Sequence, residues 1–250
     1  MLASFVITFH PRRLDNLFQT IRFLDYWHKK TIQQCELLLM CQDQCGPIES
    51  SFKQTRLFNM KLPEMSLPIQ INAGVNEAKS DLIVLLESDR ILAEGYFQKV
   101  FDTIQPKEIV TTKKMWRISR MVSDEDIINH QYPSYQECRS KDNELLTRNA
   151  FSGNTTFWKE DFIKIGGADE SYIGYGWLDH DLTSSMEKNG IQTFWRDELE
   201  LHLWHEAMTY GEQDQKKLFI QNAIKYCRKW NRPYPTEIVK EIQKQSKAFI

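Results

Sequence analysis

Short apolar runs alternate with amphipathic segments along the first part of the chain. Ser4 to Phe9 is rich in β-branched and aromatic residues, which predicts a strand, and apolar residues recur with helical spacing between Leu14 and Leu24. Glu36 to Met40 has the pattern of a second buried strand, and Asp81 to Leu86 is a continuous apolar run typical of the middle of a parallel sheet. This alternation predicts an open α/β sheet, in which ligands bind at the carboxyl ends of the strands.

The pattern weakens between Lys107 and Asn149. We expect a strand near Ile109 to Thr112 and then a polar stretch without a clear period, which we interpret as a mobile excursion. The other predicted elements are a short helix at Ala73–Ala78, a strand or turn at Phe151–Phe157, helices at Lys159–Ile165 and Asp179–Lys188, closing strands at Thr193–Trp195 and Leu199–Trp204, and a helix after Gln213. No internal repeat or linker is visible, so residues 1–250 are expected to form one domain.

Composition and charge narrow the classes of function. The 250 residues are 41% hydrophobic and 26% charged, with a net charge of -2, which suits a globular chain and gives no reason to expect a nucleic-acid partner. The longest apolar runs are too short to cross a bilayer, and no signal-peptide pattern follows Met1. Five cysteines without a CxxC pair favour reduced thiols over a disulfide framework, although the Cys35, Cys41 and Cys45 spacing leaves zinc as a minor alternative. We therefore expect a cytoplasmic protein.

The segment after Gln213 is basic. It contains nine Lys or Arg residues against three Asp or Glu residues. The simpler interpretation is a solvated helix that packs one face on the domain. The alternative is peripheral contact with an anionic membrane surface, at the inner membrane face.

The first candidate for chemistry is Glu87-Ser88-Asp89, which directly follows the most apolar predicted strand. Carboxylates at this spacing can present oxygen ligands to Mg²⁺ or Mn²⁺ at the edge of a sheet. A solvated turn after a core strand gives the same pattern, so the triplet alone is a weak signal.

The second candidate is the segment from Gly174 to Asp181. Its glycines let the backbone approach a ligand closely, and the aromatic side chains of Tyr175 and Trp177 offer flat faces that suit a sugar ring. Asp179 lies near a predicted helix start and could accept a proton from a hydroxyl group. The alternative is that the aspartates cap the helix and Trp177 packs in the core.

The third candidate is the pair His202 and His205 after a β-rich run. On a turn or a short helix, both imidazoles could face one metal ion. On a strand they would point to opposite faces, so only one could bind. Ordinary surface or core histidines are the alternative.

Taken together and in this order, the segments from Phe5 to about Glu206 resemble the GT-A fold glycosyltransferases. More specifically, they resemble inverting nucleotide-sugar enzymes such as the animal β-1,4-galactosyltransferases and the bacterial chondroitin-type polymerases. The matching segments are Val6–Arg12 for the first strand and its loop, Asn72–Ala78 for the Asn-x-Gly helix, Glu87–Asp89 for the Asp-x-Asp motif, and Phe151–Asp181 for the acceptor region. The resemblance implies a mixed central sheet flanked by helices, with a nucleotide-binding half (1–106), an acceptor and metal half (107–212) and a basic helical tail (213–250).

The resemblance also implies a reaction and its residues. A sugar would pass with inversion from a nucleotide-diphosphate donor, with UDP as the expected nucleotide, to a hydroxyl of a glycan or lipid-linked glycan in polysaccharide biosynthesis. Asp179 matches the catalytic base, and Mn²⁺ (or Mg²⁺) would be the cofactor. The implied metal ligands are Asp89, His205, His202 and Glu87; the nucleotide contacts are Thr8, Phe9, Arg12, Asp43 and Asn72; the acceptor and sugar contacts are Gly153, Tyr175, Gly176, Trp177 and Asp181.

Three positions depart from the family pattern. Glu87 replaces the first Asp of the metal motif, Leu178 replaces an acidic residue that holds the acceptor, and no arginine precedes the Asn-x-Gly helix around Leu67. These departures motivate a second hypothesis, a catalytically silent nucleotide-sugar or glycan-binding protein of the same fold. A nucleotidylyltransferase is less favoured, because the chain has no Gly-rich phosphate loop near its start.

Overall fold

The structure is a computed structural model that describes residues 2–62, 66–138, 149–206, 212–236 and 238–240. Its strands are β1 (Ser4–Phe9), β2 (Glu36–Cys41), β3 (Gln54–Asn59), β4 (Leu82–Glu87), β5 (Arg90–Leu92), β6 (Glu108–Ile118), β7 (Ser134–Cys138), β8 (Asn154–Trp158) and β9 (Gln192–His202). Its helices are α1 (Leu14–Trp27), α2 (Lys29–Ile32), α3 (Leu67–Glu77), α4 (Tyr96–Thr103), α5 (Asp124–Ile128), α6 (Lys159–Lys164), α7 (Leu178–Lys188) and α8 (Glu212–Lys229), and a 3₁₀ turn spans Pro11–Arg13.

The described strands form one mixed sheet in the order β3-β2-β1-β4-β8-β6-β9-β5, with β7 paired to β6. Strands β3, β2, β1 and β4 are parallel, as the alternating pattern predicts. The sheet then turns antiparallel through β8, while β6 and β9 form a second parallel pair. The carboxyl ends of β1, β2 and β4 therefore lie along one edge, next to the junction with the antiparallel part.

Both faces of the sheet are covered, because successive residues of a strand point to opposite faces. On β1, Phe5 and Ile7 pack in a cluster that contains residues of α1 and α4. Val6 points to the other face, into a cluster with residues of α3, α6 and α7. The predicted class, an α/β domain with a mixed central sheet flanked by helices, is confirmed.

Several predicted boundaries differ from the observed ones. Helix α3 begins at Leu67, well before Ala73, because Pro68 suits the first turn of a helix. Strands β3 and β5 and helix α4 were not predicted; β3 is half-exposed and has no continuous apolar run. The two predicted closing strands are one strand, β9, which pairs with both β6 and β5.

The predicted excursion after Lys107 is largely regular in its described part. It contains the long strand β6, helix α5 and strand β7, which forms an antiparallel pair with β6. Ser123 caps α5 through a capping box with Asp126. Residues 139–148 of this segment lie outside the described residues, as do residues 241–250 of the tail.

Two expectations from composition can be compared with the described residues. The four described cysteines are free thiols, and burial raises the pKa of Cys35 to about 12. Among the described residues, the one group of metal-ligating side chains contains no cysteine, which does not support the zinc alternative. No described helix combines the length and the apolar character that a membrane crossing requires.

The contact of α3 with β1 and β2 gives a test of the fold. A Cβ atom added at Gly74 of α3 would overlap a methyl group of Val6 and crowd Met40, whereas one at Gly46 would meet nothing within 4 Å. We expect Gly74→Ala to lower the free energy of unfolding by about 1–3 kcal/mol through overpacking, despite the better helix propensity of alanine. Urea denaturation followed by circular dichroism measures the change.

Gly46→Ala is the matched control and should change the free energy of unfolding by about 0.5 kcal/mol or less. Equal stability of the two variants would contradict the close packing of α3 on β1.

Candidate functional site

The register of two short strands brings distant parts of the chain together at the end of the sheet. After β4, the chain turns through Ser88 and Asp89 and enters β5, where Arg90 lies opposite His202 of β9. The backbone N–H of Leu203 also donates a hydrogen bond of 2.9 Å to the carbonyl of Asp89. The pairing of β5 with β9 thus fixes the carboxylate of Asp89 beside the last residue of β9.

Asp89, His202 and His205 form a compact group. The Oδ2 atom of Asp89 lies 3.3 Å from Nε2 of His202 and 3.1 Å from Nε2 of His205, and the two Nε2 atoms are 3.2 Å apart. His202 ends β9 and His205 lies in the irregular segment beyond it, so both rings face one point. Of the two arrangements left open by the sequence, the structure has the one in which both histidines can share a ligand.

This group fits a divalent cation. Its ligand atoms all lie within 4.8 Å of one another, and the buried Oδ1 of Asp89 has an ionic contact with Nε of Arg90 at 3.1 Å but no well-aligned hydrogen bond among the described residues. One carboxylate and two imidazoles suit Mn²⁺ better than Mg²⁺, which prefers oxygen ligands. The group therefore has the donor atoms and the spacing that a cation would use.

Arg90 is the buried cation of the site. Its side chain is 5% exposed, and its guanidinium bonds to Oε2 of Glu87 through Nε (2.8 Å) and Nη2, while Nε lies 3.1 Å from Oδ1 of Asp89. Burial alone would raise the pKa of Asp89, but Arg90 and then His202 more than offset this effect and hold that pKa well below its usual range. Glu87, which the sequence places among the metal ligands, is instead bound to Arg90 and lies outside the Asp89–histidine group.

The fully buried carboxylate of Glu200 lies close to the guanidinium of Arg90. Oε1 of Glu200 lies 3.8 Å from Nε of Arg90, and Oε2 of Glu200 accepts hydrogen bonds from Thr112 and Asn154. Asn154 in turn accepts a hydrogen bond of 2.8 Å from the hydroxyl of Tyr96. This network links β9, β6, β8 and α4, so the position of Arg90 is determined by the centre of the sheet.

Arg117 contacts the metal-ligating group from its other side. Its Nε atom donates a hydrogen bond of 3.0 Å to Nδ1 of His202. Since Nδ1 is the acceptor, the ring proton of neutral His202 lies on Nε2, directed at Asp89. A cation bound at Nε2 would require this proton to be on Nδ1, and the Arg117 hydrogen bond would then have to be replaced.

The turn from Gly174 to Asp179 carries the aromatic and acidic candidates. Trp177 has φ +72° and precedes α7, which places Asp179 in the first turn of that helix. The carboxylate of Asp179 accepts hydrogen bonds from the Asn149 side chain and from the backbone N–H of His180. Leu178 points inward and is 7% exposed, so it packs in the core where the family has an acidic acceptor contact.

Tyr175 connects this turn with the metal-ligating end of the sheet. The side chain is two-thirds exposed, and its hydroxyl lies within electrostatic range of both Asp179 and Glu87. Its pKa is raised by partial desolvation and because the carboxylates of Asp179 and Glu87 oppose ionisation of the phenol. Tyr175 therefore lies in the electrostatic field of both the predicted base and the metal motif.

Helix α8 packs against this turn and donates hydrogen bonds to its backbone. The amide nitrogen of Asn222 donates to the carbonyls of Ile173 (2.9 Å), Tyr175 (3.4 Å) and Gly176 (3.2 Å). The ring of Phe219 lies 6.2 Å from that of Tyr175 and 5.8 Å from that of Trp177. The basic helix thus packs one face on the domain, as the simpler interpretation of the sequence predicts.

The predicted role of Asp181 as an acceptor contact requires a correction. It is 2% exposed and binds Nζ of Lys229 (2.9 Å), Nε1 of Trp230 (2.7 Å) and the hydroxyl of Tyr172 (3.3 Å). These partners enclose the carboxylate and tie the end of α8 to α7. The sequence-based expectation of an acceptor contact is wrong for Asp181, which is a structural anchor.

The predicted nucleotide contacts are only partly brought together. Phe9 is 4% exposed and packs in the core, and Thr8 is 8% exposed at the end of β1, while Arg12 and Asp43 are exposed beyond β1 and β2. The side-chain amide of Asn72 donates hydrogen bonds to the carbonyl of Ala168 (2.9 Å) and to the carboxylate of Glu170 (2.8 Å). Gly153 supports the metal strand, since its carbonyl accepts a hydrogen bond of 2.8 Å from the N–H of Glu87.

Arg13 is the functional candidate that sequence reasoning missed. It lies within electrostatic range of Asp89 and Glu87 and, with Arg12, lines a cavity of about 470 Å³. Trp204, His205 and Glu206 also line this cavity. The signal was present as an Arg-Arg pair after the first strand, but only Arg12 matched the family position.

The comparisons with known proteins agree with this fold. Residues 134–205, under a third of the chain, match the family model described as the N-terminal domain of galactosyltransferase. GalNAc-T7, solved with UDP, GalNAc and Mn²⁺, superposes with a TM-score of 0.62 at 13% identity over 91% of this chain, which spans only 48% of the GalNAc-T7 chain. No curated protein matches the sequence.

Two structures of the Drosophila β1,4-galactosyltransferase 7 are also similar. The catalytic domain in complex with xylobiose has a TM-score of 0.53, and an aspartate-to-asparagine variant with manganese, UDP-Gal and xylobiose has a TM-score of 0.54. Each is 11% identical to this chain and superposes over 86% of it and 79% of the relative. The chain has the fold of the GT-A glycosyltransferases, and two of these three neighbour structures contain UDP or UDP-Gal together with manganese.

The packing of α8 on the turn gives a test with a matched control. Gly176 has φ +88° and an added Cβ would overlap the ring of Phe219, whereas Gly190 has φ +74° and would meet nothing within 4 Å. Gly190→Ala isolates the backbone cost, about 1–2 kcal/mol. Gly176→Ala adds steric overlap, so we expect a further loss of about 1–3 kcal/mol in the free energy of unfolding. Urea denaturation curves of the two variants measure both losses in the free energy of unfolding. Equal losses for Gly176→Ala and Gly190→Ala would contradict the packing of Phe219 on the turn.

Proposed function

We propose that this protein is a metal-dependent glycosyltransferase that moves a sugar, with inversion, from a nucleotide-diphosphate donor to a hydroxyl of a glycan. The donor nucleotide we propose is UDP and the cation Mn²⁺, since UDP and Mn²⁺ are bound together in structural neighbours. The xylobiose bound by another neighbour supports a glycan as the acceptor class. In this proposal the acceptor is a glycan or a lipid-linked glycan, and the reaction is a step of polysaccharide biosynthesis.

One observation carries the proposal. The Tyr175 hydroxyl lies in the field of both Asp179 and Glu87, and Glu87 is joined through Arg90 to Asp89 of the Asp89–His202–His205 group. A metal-dependent inverting transferase needs a cation at the leaving diphosphate and a base at the incoming hydroxyl, on either side of the sugar. The two halves of the site come from the sheet edge and from the start of α7.

The residues of the chain have separate roles in this reaction. Asp89, His202 and His205 hold the cation, which when bound supplies Lewis-acid neutralisation of the departing diphosphate. Asp179 accepts the proton of the acceptor hydroxyl as its oxygen forms a bond to the anomeric carbon and the bond from that carbon to the diphosphate oxygen breaks. Asn149 orients this carboxylate, and Tyr175 and Trp177 supply aromatic faces for the sugar.

A silent binding protein of the same fold is the second candidate. Two observations favour it: Glu87 is bound to Arg90, and Leu178 is buried where the family has an acidic residue. Release of UDP from a panel of UDP-sugars in the presence of Mn²⁺ separates the two candidates. Binding without turnover across donors and acceptors would favour the silent protein.

We also propose a cytoplasmic location, because the described cysteines are free thiols. Peripheral contact with an anionic membrane would involve the outer face of α8, where Lys217 and Arg228 are exposed. The inward cations Lys225 and Lys229 are already bound to Ser171, Asp169 and Asp181.

Asp179→Asn tests the base. The variant keeps the size of the side chain but cannot accept the proton, so we expect kcat to fall by about 10²–10⁴-fold, with donor KM little changed. The measurement is transfer from the donor that the UDP-release panel identifies, with UDP binding determined by calorimetry as a check that the site is intact.

Asp197→Asn is the matched control, since Asp197 is exposed on β9, and its activity should equal that of the wild type. Transfer by Asp179→Asn at a rate near that of the wild type would overturn the assignment of the base.

A further inference from the structure

The charges around the metal-ligating group balance. Three carboxylates lie at this end of the sheet, on Glu87, Asp89 and Glu200. Three guanidinium groups face them or His202, on Arg90, Arg13 and Arg117. These described residues therefore present almost no net negative charge to a free cation, which is unusual for a site expected to attract one.

The donors already directed at Asp89 add a second obstacle. Arg90 approaches Oδ1 of Asp89 and binds Glu87, so a cation competes with an internal guanidinium for the oxygen ligands of the motif. Nε2 of His202 lies 3.3 Å from Oδ2 of Asp89, and Arg117 holds the same ring through a hydrogen bond of 3.0 Å to Nδ1. The described group thus satisfies much of its own charge without a metal ion.

A nucleoside diphosphate changes this balance. It carries several negative charges, and Arg13 and Arg12 line the cavity that His205 borders. Phosphate oxygens bound there would add negative charge and ligand atoms beside Asp89, His202 and His205. The cation is then held between the protein and the diphosphate, and the repulsion from Arg90 and Arg13 is offset.

We propose that Arg90 is a positioning residue that makes cation binding at Asp89, His202 and His205 depend on the diphosphate of the donor. The cation and the nucleotide then enter as a pair, and the cation alone binds weakly. Arg90 does so by holding Glu87 away from the cation and by placing a permanent positive charge beside Asp89. This inference rests on the proposed function, because it assumes that the site takes a nucleoside diphosphate with its cation.

Thermodynamic linkage gives the proposal a measurable form. If UDP tightens the binding of Mn²⁺ by some factor, Mn²⁺ must tighten the binding of UDP by the same factor. We expect a factor of about tenfold or more for the wild-type protein, within the usual range of coupling between two sites. Titration of Mn²⁺ by electron paramagnetic resonance of the free ion, with and without saturating UDP, measures it directly.

Arg90→Gln removes the internal cation. We expect this variant to bind Mn²⁺ alone about tenfold more tightly than the wild type and to lose most of the coupling to UDP. Arg90→Lys keeps the charge and should keep the coupling. Arg196→Gln is the matched control: it removes an arginine of β9 that pairs with Glu198, and should leave both Mn²⁺ affinities unchanged.

Glu87→Gln provides a second variant if Arg90→Gln does not fold, because the Glu87 side chain is 40% exposed. It leaves Arg90 less neutralised, so Mn²⁺ alone should bind more weakly and the coupling to UDP should grow. If Glu87 were a cation ligand instead, its loss would weaken binding equally with and without UDP.

The outcomes separate this inference from the proposed function. Equal Mn²⁺ affinity with and without UDP in the wild type, or weaker Mn²⁺ binding by folded Arg90→Gln, would overturn the role of Arg90 and leave a metal-dependent transferase possible. No binding of Mn²⁺ in the presence of UDP would overturn the proposed metal dependence, and the inference with it.

Discussion

The site depends on one buried ionic contact, between Arg90 and the carboxylates around it. Arg90 begins β5, Glu200 lies in β9, and the two strands pair in the register that sets His202 beside Asp89. Removing one partner of a buried ion pair commonly costs about 3–5 kcal/mol, because the other charge is left uncompensated. The hydrogen bonds of Glu200 to Thr112 and Asn154 make this contact part of the sheet centre, so the fold and the cation ligands share the same groups.

The second half of the site depends on packing rather than charge. Gly174 and Gly176 lack Cβ atoms where Leu218 and Phe219 of α8 approach, and both have positive φ values. Asn222 then satisfies three carbonyl groups of the turn, which would otherwise be partly buried without donors. The aromatic turn is therefore shaped by a helix about forty residues further along the chain.

The sequence predicted the parallel half of the sheet because β1, β2 and β4 are buried and read as continuous apolar runs. It did not predict β3, which has no buried residue, or the full length of β6, in which buried and partly exposed side chains follow one another without a simple period. The three motifs with candidate chemistry were found by residue type. The role of Asp181 was misjudged because its partners, Lys229 and Trp230, lie far along the chain. Arg13 was missed because only structure shows which arginine of the pair faces Asp89.

The departure of Glu87 from the family pattern is best understood together with its partner Arg90. The carboxylate of glutamate lies one methylene farther from the backbone than that of aspartate, and this reach lets Glu87 bind the guanidinium three residues ahead. A shorter carboxylate would stay nearer to the position of a cation ligand. A buried arginine beside Asp89 in turn needs carboxylate partners, and Glu87 and Glu200 provide them. The substitution that weakens the metal motif by residue type is thus the one that stabilises the charge next to it, and in the proposed site the two residues would shift the demand for cation ligands from the protein to the diphosphate.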